Sequence, residues 1–487
     1  MIGSLKKIRQ ILNNKVMAYT FMRYMVCFIS FVASMIIAVK LGPFYLGIWG
    51  FLLLLRRYFQ LINLGIPDSV TILLVQNKND KIRAADYETT AIVLIGILSL
   101  FVIFFAVYYY FFGIPAFEKY EVGNWFYYVC VIAILTYFND LFFKIYRVKN
   151  RIFEISFYQS VVQVLTIGVV FFFRDRALIH FLLWAYVFGY ALSGFLFLRG
   201  KKLIFSGRVS FKDSHTILSK GFFLFLYNFS FYMIVLSTRT IIGAYYSVEE
   251  FGYFTFAYTL SNAILILLDA FASLLIPKLI DKFNSGDVRM IESTIRTLRV
   301  NYVYSSHLLM YILLMSFPVL LYFFPQYSAT LPVINLISLA TVLFTNSFGY
   351  SLFLMARNRE KVIAVNSLLA LALNVGIGIF VVTVLKWSYE YVIVATLISY
   401  LLYTYLSVYF GRKELGVTPT IFAVLKECFP LKILLPFLLT IAITVYNWTV
   451  FLFLPFLVFV VLNLNTIKEL YSSLKRLLVN PNLIDVK

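Results

Sequence analysis

Residues 51–67 read FLLLLRRYFQLINLGIP, an apolar run with two consecutive arginines, Arg56 and Arg57, near its middle. In a soluble protein such a pair would mark the wet side of an amphipathic helix. Here the neighbours leave no wet side, so the solvent has to be identified first. The 487 residues are 62% hydrophobic and 13% charged, with a mean hydropathy of +0.88. Soluble domains carry about 25% charged residues. No single soluble core buries so much apolar surface, and apolar runs long enough to cross a bilayer recur along the whole chain. The sequence is that of an all-α polytopic membrane protein, since a β-barrel would show short alternating segments instead.

About fourteen spans are expected, at 16–39, 44–66, 88–112, 124–146, 155–173, 177–198, 219–243, 250–276, 300–324, 331–355, 362–385, 390–410, 429–446 and 448–465. The last two are short; as one re-entrant hairpin they would leave twelve full spans. The first is too long for a signal-peptide core and lacks a small-residue cleavage site, so it is expected to be retained. The net charge of +20 is a topology signal, not a nucleic-acid footprint. The N-terminus (Lys6, Lys7, Arg9, Lys15), every second loop and the C-terminus hold 31 of the 42 Lys and Arg, counting Lys220 at the edge of the seventh span. The alternate loops hold only Lys40, Lys119, Arg174, Arg176 and Lys386. That asymmetry places both termini in the cytoplasm. Cys27, Cys130 and Cys428 are odd in number and scattered, which suggests neither a disulfide framework nor a metal site.

The two halves look related. VKLGPFYLGIWGF (39–51) follows the first span and AYYSVEEFGYFTF (244–256) follows the seventh, which aligns Gly47 with Gly252 and Trp49 with Phe254. Pro67 and Pro277 then close the second span of each half. With six spans per half, the copies would be parallel repeats.

Ionisable groups inside a membrane normally face protein or water, because burial in hydrocarbon costs about 2.5–3.5 kcal/mol each on insertion scales. Thr20, Arg23, Cys27, Ser30 and Ser34 share one face of the first span. Arg56, Gln60 and Asn63 fall at i, i+4 and i+7 of the second, with Arg57 about 100° away. The seventh span carries Asn228, Tyr232, Arg239 and Tyr246, and the eighth Thr255, Asn262, Asp269 and Ser273. Isolated residues such as Ser367 and Asn374 are read as helix–helix glue. The arginines are not, because the stripes of the first two spans contain no carboxylate. Two or three arginines with one acid, Asp269, imply a hydrated, net-positive cavity suited to an anionic cargo, and the guanidinium fits phosphate well. Asp140 and Lys144 look like a surface i, i+4 ion pair, and His307 like a packed histidine. No Gly-x-x-x-x-Gly-Lys-Ser/Thr loop, His-x-x-x-His pair or Gly-x-Ser-x-Gly elbow is present, which argues against an ATP pump and against an enzyme.

LGPFYLGIWG (41–50), NLGIPDSV (63–70), STRTIIGAYYSVEEFGYFTFAYTLSNA (237–263), IPKLIDKFNSGD (276–287) and MARNREKVIAVNSLLALALNVGIGIF (355–380) together resemble one family. It is that of the polysaccharide exporters and O-antigen (lipid-linked oligosaccharide) flippases of the multidrug/oligosaccharidyl-lipid/polysaccharide (MOP) superfamily. The resemblance covers most of 16–410. One departure is Thr238, where the family pattern often has an acid before the basic residue, here Arg239. The resemblance implies a MATE-like fold of two pseudo-symmetric six-helix bundles plus two C-terminal spans. Its bundles would be 1–198 and 219–410, joined by a cytoplasmic linker at 199–218 and followed at 411–487 by the extra spans and tail. Spans 1, 2, 7 and 8 would line a central cavity that opens to each side in turn. The implied cargo is an undecaprenyl-pyrophosphate-linked oligosaccharide, crossing the bacterial inner membrane.

The substrate-binding residues expected on this basis are Arg23, Arg56, Arg57, Gln60, Asn63, Asn228, Arg239, Asn262 and Asp269. No cofactor is called for, and coupling to protons or sodium is left open. The expected partners are the lipid-linked substrate, membrane lipid and other polysaccharide assembly proteins, with no nucleic acid. Two alternatives stand beside the flippase reading: a cation-coupled multidrug exporter of the same fold, disfavoured by the intramembrane arginines, and a polytopic polymerase or acyltransferase, disfavoured by the short outward loops.

Overall fold

The computed structural model describes residues 15–262, 279, 282–283 and 287–479, and the side chains at 15–27, 152, 223–224 and 473–479 lie outside that description. The chain forms two compact units, one within Met1–Phe229 and Ser247–Gly252, the other within Ser230–Tyr246 and Tyr253–Lys487. Among the described residues, ten helices are long and apolar enough to cross a membrane, or up to twelve if each of two bent pairs is one span. Most of the span expected at 250–276, including Asp269, lies outside the described residues.

The first unit begins with α1 (Lys15–Leu61), which is two helices, because Gly42 breaks the helical path at φ 64 and ψ 173. Only glycine takes that conformation cheaply. The two arms then double back on each other. Ser30, Ser34 and Arg56 line one small cavity, yet on a straight helix Ser30 and Arg56 would stand about 39 Å apart. A second left-handed glycine, Gly65 (φ 68), turns the chain into α2 (Ile66–Gln76). After that come α3 (Lys81–Phe112), α4 (Trp125–Val148), α5 (Ile152–Phe172) and α6 (Asp175–Arg199). Asp80 caps α3 by accepting from the Arg83 N–H at 3.0 Å.

Apolar and polar residues are arranged for hydrocarbon, not water. On α3, Phe104, Phe111 and Phe112 are exposed while Glu88, Thr90 and Ser99 are buried. Glu88 and its neighbours on α3 are held from other parts of the unit. Glu88 pairs with Lys149 at 2.5 Å and accepts from the Ile204 N–H at 3.1 Å. The Gly207 and Arg208 amides donate to Thr89 and Asp86. The connection after α6 is thus strapped onto the start of α3 before α7 (Phe211–Tyr245) begins.

Helix α8, over 248–262, starts in the first unit, and its start is where the two repeat-aligned glycines meet. A Cβ on Gly47 would lie 2.0 Å from the Val248 carbonyl oxygen, and one on Gly252 would lie 1.9 Å from that of Pro43. Each glycine lets the backbone of the other segment approach.

In the second unit, α9 (Val288–Tyr322) is followed by α10 (Leu331–Leu343), which is buried along almost its whole length and forms the core. Helix α10 is followed by α11 (Tyr350–Ala356), α12 (Glu360–Phe380) and α13 (Val394–Glu414), the last of which packs against it. The chain ends in α14 (Ile421–Cys428), α15 (Leu431–Val445), α16 (Phe453–Leu462) and α17 (Leu464–Val479). With 15 and 10 residues, α15 and α16 rise about 22 and 15 Å, short of a 30 Å hydrocarbon core. Each belongs to a bent pair: α14 and α15 meet at 69°, and the helices on either side of Asn463 at 76°.

Candidate functional site

The first unit gathers its polar intramembrane groups around Arg56. The Arg56 guanidinium lies over the rings of Tyr186 and Tyr190, 4.8 and 5.3 Å from their centroids, and its Nη2 donates to the Tyr190 hydroxyl at 2.7 Å. Stacking on two aromatic faces and one hydrogen bond fix the group without neutralising it. The supporting scaffold is itself pinned. Asn139 on α4 donates to the Tyr190 carbonyl at 3.0 Å, and the Tyr137 hydroxyl donates to the Phe59 carbonyl.

Beside Arg56 lies a cavity of about 200 Å3. Ser30 and Ser34 line it from the first arm of α1, Gln163 and Thr166 from α5, and the two tyrosines from α6. Arg56 Nε and Gln163 Oε1 are buried and have no hydrogen-bond partner among the described residues. Arg56 and Gln163, from α1 and α5, thus bring an unmatched donor and an unmatched acceptor to the lining of one cavity. Asp140 on α4 lies within electrostatic reach of Arg56, Arg57 and Lys144.

These facts correct three expectations. The stripe Arg56, Gln60, Asn63 is not one helix face, because α1 ends at Leu61 and Asn63 lies beyond it. Asn63 Oδ1 accepts from the Gly65 N–H at 3.0 Å and so shapes the turn. Arg56 does have an acidic neighbour, supplied by another helix and invisible in its own stripe. Finally, Lys144 pairs with Asp68 at 2.6 Å, not with Asp140 one turn away.

The remaining expected residues are spread over the molecule. Arg57 Nη1 donates to Gln60 Oε1 at 3.2 Å. Asn228 is half-buried in the first unit, and the Arg23 side chain and Asp269 fall outside the described residues. In the second unit Arg239 is buried with its guanidinium 4.9 Å from the Tyr258 ring centroid, and Asn262 is half-buried.

The position of the missing family acid is filled by uncharged hydrogen bonding. Thr238 Oγ1 lies 2.8 Å from Thr396 Oγ1, and Asn374 Nδ2 donates to the Ile234 carbonyl at 2.7 Å, Ser237 Oγ at 2.8 Å and Thr238 Oγ1 at 3.0 Å. Asn374 is therefore glue between α12 and α7, as read from the sequence, and Ser367 only bonds back to the Ala364 carbonyl. His307 is likewise packed, its Nε2 3.1 Å from Asn346 Oδ1. The residues that sequence reading missed are Tyr186, Tyr190, Gln163 and Thr166. Their i, i+4 and i, i+3 spacings put each pair on one helix face, but on spans 5 and 6, away from the four that the repeat picks out.

A sequence comparison with curated proteins finds no match. The fold does have solved counterparts. An inward-facing multidrug resistance MATE family transporter of the MOP superfamily aligns with a TM-score of 0.68 at 13% identity, covering 82% of this chain and 98% of its own. The lipid II flippase MurJ, in an inward closed conformation, aligns at 0.65 and 14%, covering 94% of this chain and all of MurJ. An outward-facing MATE transporter aligns at 0.58 and 14%, covering 83% and 95%. At these identities the likeness establishes the fold, an all-helical, multi-pass membrane architecture of the MATE and MurJ kind. A family model described as "polysaccharide biosynthesis protein" matches residues 12–282, more than half of the sequence. Taken with that fold, the match shows that the chain belongs to the polysaccharide biosynthesis protein family.

Proposed function

We propose that the protein is a flippase that carries an undecaprenyl-pyrophosphate-linked oligosaccharide across the bacterial inner membrane by alternating access. The observation that carries this reading is the cavity beside Arg56. It is lined by the Arg56 guanidinium, hydroxyls from Ser30, Ser34 and Thr166, an amide from Gln163 and two aromatic faces. Pyrophosphate oxygens suit the first, and sugars suit hydroxyls, amides and ring faces. Fixing Arg56 against Tyr186 and Tyr190 means that a ligand does not have to order it. The polyprenyl tail would remain in the bilayer. Membership of the polysaccharide biosynthesis family and the fold shared with a lipid II flippase support the same substrate class.

A second reading has one observation in its favour. Asp140, within reach of Arg56, supplies the intramembrane carboxylate that a cation-coupled exporter needs. In the flippase reading the same group is the residue through which proton or sodium coupling would act.

One experiment separates the two. In a strain lacking the gene, a membrane-impermeant probe reports which leaflet holds the lipid-linked saccharide. Repeat units trapped on the cytoplasmic face, released by wild-type protein but not by Arg56→Gln at equal membrane abundance, are the expected result. Normal outward delivery together with altered drug sensitivity would replace the flippase by the exporter.

A further inference from the structure

The second unit holds a larger cavity, of about 410 Å3, that the flippase reading does not use. It is enclosed by α9, α11, α13, α14 and the start of α15, from residues 292 to 433, outside the segment that matches the family model. Arg296, Arg299, Arg412 and Lys426 line it, against Glu292 and Glu427. The acid at its centre is already engaged. Glu427 accepts from Arg412 Nη1 at 2.7 Å and from the Tyr350 hydroxyl at 2.5 Å. Arg299 is occupied by the Asn346 and Glu427 carbonyls and lies over Tyr350. That leaves the exposed Arg296 and Lys426, neither in an ion pair among the described residues, and a buried Arg412 Nε–H without a hydrogen-bond partner among them. The cavity is thus a net cationic pocket with donors to spare, and its other wall is aliphatic: Val300, Val303, Leu415 and Ile433.

Its surroundings say where it sits. Helix α14 buries Val424 and Cys428 but exposes Ile421 (67%), Phe422 (85%) and Leu425 (42%), and Leu431 just after it is 76% exposed. A short helix with an outward apolar face and a 69° bend into the next helix is suited to lying in the plane of the membrane surface. A basic pocket between helices at that depth, walled on one side by aliphatic residues, fits a phosphate carried on a lipid.

We propose that this cavity binds the phosphodiester headgroup of an anionic membrane phospholipid, held by Arg296, Arg412 and Lys426, with its acyl chains leaving over Ile421, Phe422 and Leu425. A soluble phosphate compound would have no use for that apolar exit. The site is independent of the cargo, and would serve equally in an exporter of the same fold.

The test uses the full chain purified in detergent. It is titrated with phosphatidylglycerol and, separately, with phosphatidylcholine of the same acyl chains, and bound lipid is counted by native mass spectrometry. Phosphatidylglycerol is expected to be retained over phosphatidylcholine. The double variant Arg296→Gln, Lys426→Gln should weaken that retention about tenfold. Both side chains are exposed, so its thermal unfolding should match wild type. The double variant Lys212→Gln, Lys361→Gln, which changes two exposed lysines outside the cavity, should retain lipid normally. Equal losses in the two variants, or equal retention of the two lipids, would overturn the site. Displacement by millimolar inorganic phosphate would overturn the lipid assignment in favour of a free ion. Retention of undecaprenyl phosphate ahead of phosphatidylglycerol would overturn it in favour of the transported lipid.

Discussion

At the 205-residue offset that aligns Gly47 with Gly252, Arg56 falls on Ser261 and Arg239 on Ser34. At this offset the glycines coincide and the arginine chemistry does not. In the first unit the arginine stands on the second helix of the pair, and a serine of the first helix lines its cavity. In the second unit the arginine stands on the first helix, over Tyr258. The position matching Arg56 there is sealed: Ser261 is fully buried, donates to the Ile334 carbonyl at 3.2 Å and accepts from Ser338 Oγ at 3.1 Å. The aligned glycines share one close backbone contact, while only the first of the two aligned polar positions, Arg56, lines a cavity. Glycine positions report the frame of such a protein, and the fate of a serine or arginine reports where it does its work.

The largest expected effect tests that asymmetry directly. Arg56→Gln should reduce delivery of lipid-linked saccharide to the outer leaflet by at least about tenfold, the loss of one charge-assisted contact worth 1.5–3 kcal/mol. Ser261→Ala, at the matching position, should leave delivery unchanged. Equal losses would mean that the two copies share the function and that the cavity is not its seat.

Gly252→Ala comes next. Its Cβ would lie 1.9 Å from a carbonyl oxygen, so backbone has to move, at a cost of about 1–3 kcal/mol seen as a lower thermal midpoint in detergent. Gly376→Ala, with nothing within 4 Å, should be neutral or slightly stabilising, because alanine favours the helix. A harmless Gly252→Ala would remove the packing half of the comparison.

Tyr190→Phe keeps the ring under Arg56 and deletes the hydrogen bond of 2.7 Å. A several-fold fall in delivery, smaller than that of Arg56→Gln, is expected from losing about 1 kcal/mol of positioning. The smallest effect belongs to Lys144→Ala. Its pair with Asp68 is about a third exposed, so stability should change by under about 1 kcal/mol and transport not at all.

Much of this architecture was legible in the sequence, for reasons that particular residues make plain. Apolar length alone marks most helices, and the aligned glycines mark a place where side chains cannot be tolerated. The break at Gly42 falls between the spans read as 16–39 and 44–66. The Arg56 site was only half legible. An arginine in hydrocarbon announces that it has company, but not which helix supplies it. Tyr186, Tyr190 and Asp140 lie between 84 and 134 residues further along the chain, and no local periodicity connects them. Asn63 misled because a 3.6-residue period was continued past the end of its helix, where the left-handed Gly65 had taken over. The lipid-headgroup cavity was legible only as a surplus of basic residues, because Arg296, Arg412 and Lys426 stand on three helices, α9, α13 and α14, far apart in the chain.

The single-residue turn at Gly42 has a consequence for biosynthesis. Two arms joined by one glycine are suited to entering the membrane together. Arg56 would be costly to a lone helix, whereas Ser30 and Ser34 reach the membrane on the opposite arm, beside the same cavity. Entering together as a hairpin, the arms bring the arginine in with its polar neighbours already alongside, so that the translocation machinery handles one matched pair in place of two difficult segments.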